Sequence, residues 1–167
     1  MGFSKVASTD TIREALRTQF DAEQEPALHR SSFEPAGGSA VEDWHDTVEV
    51  LSDAVQAVVD RAASKCSDLL LEGVHIIPSS AVLDGWRKSG GAATGVLLHV
   101  GDEDNHRRFI STRERHNQRG LGHYLGNLNR IRVIQDEMLH NANESGWLVF
   151  DASRADPMDD IADSLLD

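Results

Sequence analysis

The chain has 167 residues, with 40% hydrophobic and 26% charged side chains, enough for one globular domain with a real core. Its net charge of -12 makes nucleic acid and anionic membrane poor partners for the surface as a whole. One cysteine, Cys66, excludes an intrachain disulfide or a thiolate zinc cluster; no apolar run reaches bilayer length, and MGFSKVASTD is no signal peptide, so a cytoplasmic location is expected.

In chain order, Lys5 to Ser8 predicts a short strand running into Thr9-Asp10-Thr11. Thr11 and Glu14 have capping-box spacing, and Ile12, Leu16 and Phe20 would share one helical face. Residues 21–38 show no period, and Pro26, Pro35 and Gly37-Gly38 mark a loop. Ser39 and Glu42 form a second capping box, followed by Val41, Trp44, Val48, Leu51, Val55, Val58 and Ala62 at helical spacing. Asp68 to Pro78, DLLLEGVHIIP, is expected as a strand buried on both faces and ended by Glu72, Gly73 and His75. Residues 79–95 read as a short helix or irregular linker, and Gly95 to Val100 as another buried strand. Asp102 can cap a helix through His106 to Thr112, ahead of the polar run from Arg113 to Gly120. Leu121, Leu125, Leu128, Ile131, Ile134 and Met138 mark one long helix, Trp147 to Phe150 a last strand, and Asp159 to Leu166 a terminal helix. Alternating strands and helices predict an α/β domain over residues 1–167, a parallel sheet with helices on both faces.

Several side chains in this order could carry chemistry. Glu72, at the C-terminal end of a strand, is placed to hold a magnesium-bound water, or is simply the polar end of that strand. Asp10, between strand and helix, could accept a proton from a substrate hydroxyl, or merely favour the helix N-terminus. Arg13 could hold a carboxylate or phosphate, or be an ordinary helical arginine. Arg107, Arg108, Arg113, Arg115 and Arg119 crowd positive charge that an anion would relieve, with Glu103 and Glu114 as the ordinary partners. The eight histidines show no zinc spacing, and only His75, near Glu72, stands out.

STDTIREALR, LLLEGVHIIP, HRRFISTRERHNQR, YLGNLNRIRVIQDEM and WLVFD, in that order, resemble the archaeal-type 2-phosphoglycerate kinases of the P-loop kinase class. The resemblance implies a kinase using ATP and Mg2+ to convert 2-phosphoglycerate to 2,3-bisphosphoglycerate. It puts Asp10 and Arg13 at the substrate end and Glu72 at the metal. Arg113 and Arg119 fall in a lid over residues 102–120, Arg132 on the helix behind it, and His75 in the EGVH block as a substrate-side residue.

One departure is large: no GxxxxGK[ST] occurs anywhere in the chain. The resemblance therefore implies a domain lacking its first, central strand and phosphate loop, between the strands at Leu69 and Val96. Either those strands pair directly, or an N-terminal segment is supplied in cis or in trans, or the chain is poorly stable. A chain without the cradle is expected to be inactive alone; the alternatives are a non-enzymatic anion-binding module or a kinase of another small metabolite.

Three lysines against thirteen arginines, on so acidic a chain, fit a protein working in high salt. Thermal melting should accordingly shift upward between dilute buffer and molar potassium chloride; a flat or falling series would remove that reading.

Overall fold

A computed structural model describes residues 3–116 and 122–154. The elements run β1 (Val6–Ser8), α1 (Thr9–Leu16), α2 (Pro26–His29), α3 (Ala40–Ser64), β2 (Leu70–Glu72), α4 (Ser80–Lys88), β3 (Val96–His99), α5 (Glu103–His116), α6 (His123–Gly126), α7 (Leu128–Glu144) and β4 (Leu148–Asp151). The class is α/β, with short parallel sheets and helices between the strands. The chain divides into two compact units: residues 1–77 with 85–91, and residues 78–84 with 92–167. No helix among the described residues is long and apolar enough to cross a membrane.

In the first unit β1 and β2 pair in parallel, Val6 opposite Leu70 and Ser8 opposite Glu72. Because the strands are parallel, β1 must feed a crossover, and α1 to α3 supply it. α3 is the helix its sequence announces. Ser39 Oγ accepts from the Glu42 amide at 3.2 Å, and Glu42 accepts from the Ser39 amide at 2.8 Å, closing the expected capping box. Trp44 and Leu51 are fully buried on its inner stripe, beside Leu28 of α2. The four-residue α2 falls inside the segment expected to be loop, because Pro26 starts a turn that Leu28 anchors in the core.

α1 begins earlier than Thr11, the cap its sequence suggested. β1 passes straight into it, with extended Ser8 at the N-cap and Asp10 in the first turn. It also ends at Leu16, which leaves Phe20 in the following turn and exposed. The expectation of a strand buried on both faces fails at β2. Leu70 is 42% exposed and its register partner Val6 66%, on the same sheet face. The reason is coverage: among the described residues β2 pairs with β1 alone, and the face carrying Leu70 and Val6 stays open.

In the second unit β3 and β4 pair in parallel from Val96 opposite Leu148 to His99 opposite Asp151. α7 packs on both strands, and its Leu128, Ile134 and Ala142 join Leu97 in the core. Leu98, on the other face, is 57% exposed. Asp102 caps α5 as expected, accepting from the Asn105 amide at 2.8 Å, and α5 continues to His116. The long helix expected from Leu121 is divided at Asn127, whose side-chain amide donates to the His123 carbonyl at 2.9 Å. The expected terminal helix at 159–166 lies outside the described residues.

Gly73 is where sequence and packing meet most tightly. Its φ is +139°, and a Cβ there would stand 1.8 Å from Thr9 Oγ1. Gly73→Ala should therefore cost about 2 kcal/mol or more in chemical denaturation, from strain and clash together. Gly37→Ala is the control: its φ is +112° and the space is open, so strain without clash should cost less.

Candidate active site

The C-terminal ends of β1 and β2 gather the first group of candidates. Glu72 closes β2 with its side chain exposed, and Asp10 sits two residues past its register partner Ser8. Asp10 Oδ1 meets Arg13 Nη2 at 3.1 Å one helical turn on, with Asp10 62% and Arg13 13% exposed. The pair is thus one solvated carboxylate over one enclosed guanidinium, and it adds little stability of its own. Arg13 Nη1 also donates to the Arg30 carbonyl at 3.3 Å, while its Nε is buried without a hydrogen-bond partner. Arg30 extends the chain, donating to the Asp43 carbonyl at 2.7 Å and meeting Asp46 at 3.1 Å.

His75 lies beneath these groups, 3% exposed. Its Nδ1 is 3.0 Å from Thr9 Oγ1 and its Nε2 3.0 Å from Ser32 Oγ. In a neutral imidazole one nitrogen donates and the other accepts, so one hydroxyl must accept and the other donate. Burial, and then the nearby Arg13 charge, push the pKa down from 6.5 to about 4, holding the ring neutral. Both nitrogens are occupied by protein hydroxyls, which gives His75 the geometry of a positioning residue. Sequence reasoning singled out His75 but missed Thr9 and Ser32. The only signal for them is their identity as small hydroxyl residues near Asp10 and in a segment without period.

Asp43 was also missed. It is buried in the first turn of α3 and accepts from the Ala36 amide at 2.9 Å and the Gly38 amide at 3.0 Å. This shapes the loop that carries Ser32. Trp44 adds a second tie, its Nε1 donating to the Val74 carbonyl at 2.8 Å.

The other candidates belong to the second unit. Arg132 on α7 donates to the Val100 carbonyl at 3.3 Å and the Gly101 carbonyl at 3.1 Å, clamping the loop that follows β3. Gln135 grips the same loop, accepting from the Val100 amide at 2.9 Å. Burial, then Arg132, lower the pKa of His106. Arg113 is exposed on α5, its guanidinium 5.6 Å from the ring centre of Tyr124. Arg107 pairs with Glu103 at 3.0 Å, the ordinary partner expected for this run. Arg119 lies outside the described residues.

At the ends of β3 and β4, which sequence reasoning passed over, His99 is level with Asp151. Hydrogen bonds from the Ser153 hydroxyl, at 2.7 Å, and amide, at 2.9 Å, hold the Asp151 carboxyl below the usual carboxylate range. No group of three or more His, Cys, Asp or Glu side chains among the described residues could hold a metal ion.

The described residues thus place two carboxylates, Asp10 and Glu72, and one enclosed arginine, Arg13, at or just past the ends of β1 and β2. Comparison with known proteins gives the particular relatives. Over 158 residues the chain is 30% identical to the 2-phosphoglycerate kinase of Methanothermobacter thermautotrophicus, covering 87% of this chain and 51% of that protein. It is 28% identical over 154 residues to the 2-phosphoglycerate kinase of Pyrococcus horikoshii, covering 86% of this chain and 49% of the relative. With that of Methanocaldococcus jannaschii the identity is 25% over 153 residues, covering 87% and 49%. The chain is thus related to the archaeal 2-phosphoglycerate kinases, as its motifs indicate, and spans about half the length of the curated relatives it matches. No family model matches the chain, and no solved structure matches it.

The lowered pKa of His75 fixes a pH dependence. Unfolded, the ring takes a proton near 6.5; folded, only near 4, so the unfolded state binds more protons between those values. The contribution is complete above 6.5 and lost as pH falls towards 4. Melting temperature should fall across that window, and His75→Gln should show a lower but flatter profile. An unchanged slope in the variant would show that other groups set the acid response.

Proposed function

We propose that this chain is the acceptor-binding part of a 2-phosphoglycerate kinase, a cytoplasmic enzyme using ATP and magnesium to form 2,3-bisphosphoglycerate. The observation that carries the reading is the similarity to archaeal 2-phosphoglycerate kinases over 86–87% of the chain. In this reading Asp10 accepts the proton of the acceptor hydroxyl as that oxygen gains its phosphoryl group. Arg13, enclosed by Arg30 and topped by Asp10, meets the acceptor's own phosphate or carboxylate, an anion that would satisfy its buried Nε. His75 positions both by fixing Thr9, the residue before Asp10.

Glu72 is the residue that would hold magnesium, a cation that needs only one or two carboxylates, completed by phosphates and water. Bound there, the metal would neutralise charge on the phosphates. Arg113 and Arg119 serve as lid residues within 102–120, and Arg132 supports the lid by holding the loop before α5. The residues present do not fit a triphosphate, because no GxxxxGK[ST] occurs in the sequence. The nucleotide cradle, with the central strand, therefore belongs to a segment supplied in cis or in trans.

The chain alone should bind ATP weakly by calorimetry and phosphorylate nothing. Mixed with the half of the M. thermautotrophicus kinase that it does not match, it should phosphorylate 2-phosphoglycerate, and Asp10→Asn should reduce turnover roughly 100-fold. Unchanged turnover in that variant would remove Asp10 as the base. Phosphorylation of other acceptors but not 2-phosphoglycerate would shift the reading to another metabolite kinase. Binding of 2-phosphoglycerate with no transfer in any mixture would leave an anion-binding module.

A further inference from the structure

The candidate active site lies at the C-terminal ends of β1 and β2, and a second feature lies at their N-terminal ends. The two strands are parallel, so those ends come together, and α3 finishes beside them before leading into β2. The Ser4 hydroxyl donates to the Asp68 carbonyl at 3.5 Å and the Leu70 amide to the Lys5 carbonyl at 2.9 Å. These ties fix the backbone that carries Lys5. A groove of about 630 Å³ opens here. Small-molecule sites run to roughly 300–1,000 Å³. Ala57, Val58, Ala62 and Leu69 give the groove apolar walls, and its charged residues are Lys5 and Arg61, with no carboxylate lining it.

That pattern runs against the rest of the chain, where 28 Asp and Glu side chains outnumber 16 Lys and Arg. Neither Lys5 nor Arg61 joins an ion pair among the described residues. Asp60, next to Arg61 in sequence, is held instead by the Gln56 side-chain amide at 2.8 Å. Arg61 lies in the last turn of α3, where the helix dipole favours a cation without any ligand. Lys5 belongs to a different element and gains nothing from that turn.

We propose that this groove binds a small anionic amphiphile, a medium-chain carboxylate. Its hydrocarbon tail lies along Ala57, Val58 and Leu69, and its carboxylate accepts from Lys5 and Arg61. The lining selects both parts. An uncharged apolar ligand would leave the two cations without an anion, and a short phosphorylated metabolite would leave the apolar walls wet. A second copy of a chain of net charge -12 would meet its own repulsion. The groove is at the opposite strand ends from Asp10 and Glu72, so the proposal goes beyond the kinase reading and does not rest on it.

The test titrates decanoate, below its micellar concentration, into the full chain and follows amide shifts by NMR. Saturable shifts should centre on Ala57, Val58 and Leu69 and leave Thr9, Asp10 and His75 in place. The double variant Lys5→Gln, Arg61→Gln changes two exposed side chains, so it should melt like the parent chain. Its affinity for decanoate should fall roughly tenfold or more. Decanol, with the same tail and no charge, should bind the parent chain that much more weakly and lose nothing further in the double variant. Ala57→Phe, which fills the groove from an exposed helix position, should abolish binding of both. No saturable shifts at these residues, equal decanoate affinity in the double variant, or equal affinity for decanol overturns the proposal. Displacement of decanoate by 2-phosphoglycerate also overturns it, because the groove would then be an acceptor site.

Discussion

The first unit depends on a neutral imidazole held between two hydroxyls. Thr9 opens α1, Ser32 lies in the segment before α3, and His75 follows β2, so three pieces distant in sequence meet at one ring. Charging that ring would bury a cation close to the Arg13 guanidinium, which is why the surroundings keep it neutral. Gly73 belongs to the same constraint: Thr9 can reach His75 only because the residue beside it has no Cβ. Asp10, one residue beyond Thr9, adjoins this packing and meets Arg13 through its own carboxylate.

The arginines divide by what their guanidinium groups hold. Arg17 donates to the Leu28 carbonyl at 2.6 Å, Arg30 to the Asp43 carbonyl and Arg132 to those of Val100 and Gly101, each closing a loop. A planar fork with several fixed donors suits backbone oxygens, which a lysine would meet with a single point charge. The preference for arginine over lysine therefore has a structural side. Arg13 differs from these three, because one of its nitrogens remains buried without a partner and its neighbouring carboxylate faces solvent. Such a group has unused capacity for a ligand, and the others have largely spent theirs on the fold.

What the sequence made legible was what local chemistry decides. The capping box at Ser39 and Glu42 and the apolar stripe behind it located α3; Asp102 located the start of α5. Three readings failed where distant contacts decide. Thr11 has good cap spacing, but a strand delivering Ser8 directly to the helix puts the cap three residues sooner. Pro26 to His29 is too short to show a period, and only its packing on α3 makes it an element. Asn127 divides the last long helix although Leu125 and Leu128 keep the stripe running across it. At the site, Asp10, Arg13, Glu72 and His75 were visible as residue types at strand ends. Thr9 and Ser32 were not, because a buried hydroxyl carries no pattern in sequence beyond its own identity.

The leucines of β2 show how a correct local reading can miss the observed environment. Three in a row encode a strand with neighbours on both sides, while the strand as folded has one neighbour and an open face. β3 repeats the conflict in its own unit. The Gly95 carbonyl accepts from Leu148 of β4 and that of His99 from Ala152 just past it, so Val96 and Leu98 turn their backbone groups to an edge with no partner strand among the described residues. A natural sequence whose local and global levels disagree at one place is informative about that place. Here the disagreement recurs in two strands and has one sign: each is more apolar than its surroundings warrant. At the exposed positions Leu70 and Leu98 a polar residue would be accommodated as readily as leucine, since nothing in the present packing covers them. The disagreement is local: it falls on Leu70 and Leu98, whose side chains lie on the open sheet faces, while Leu97 of the same β3 packs in the core.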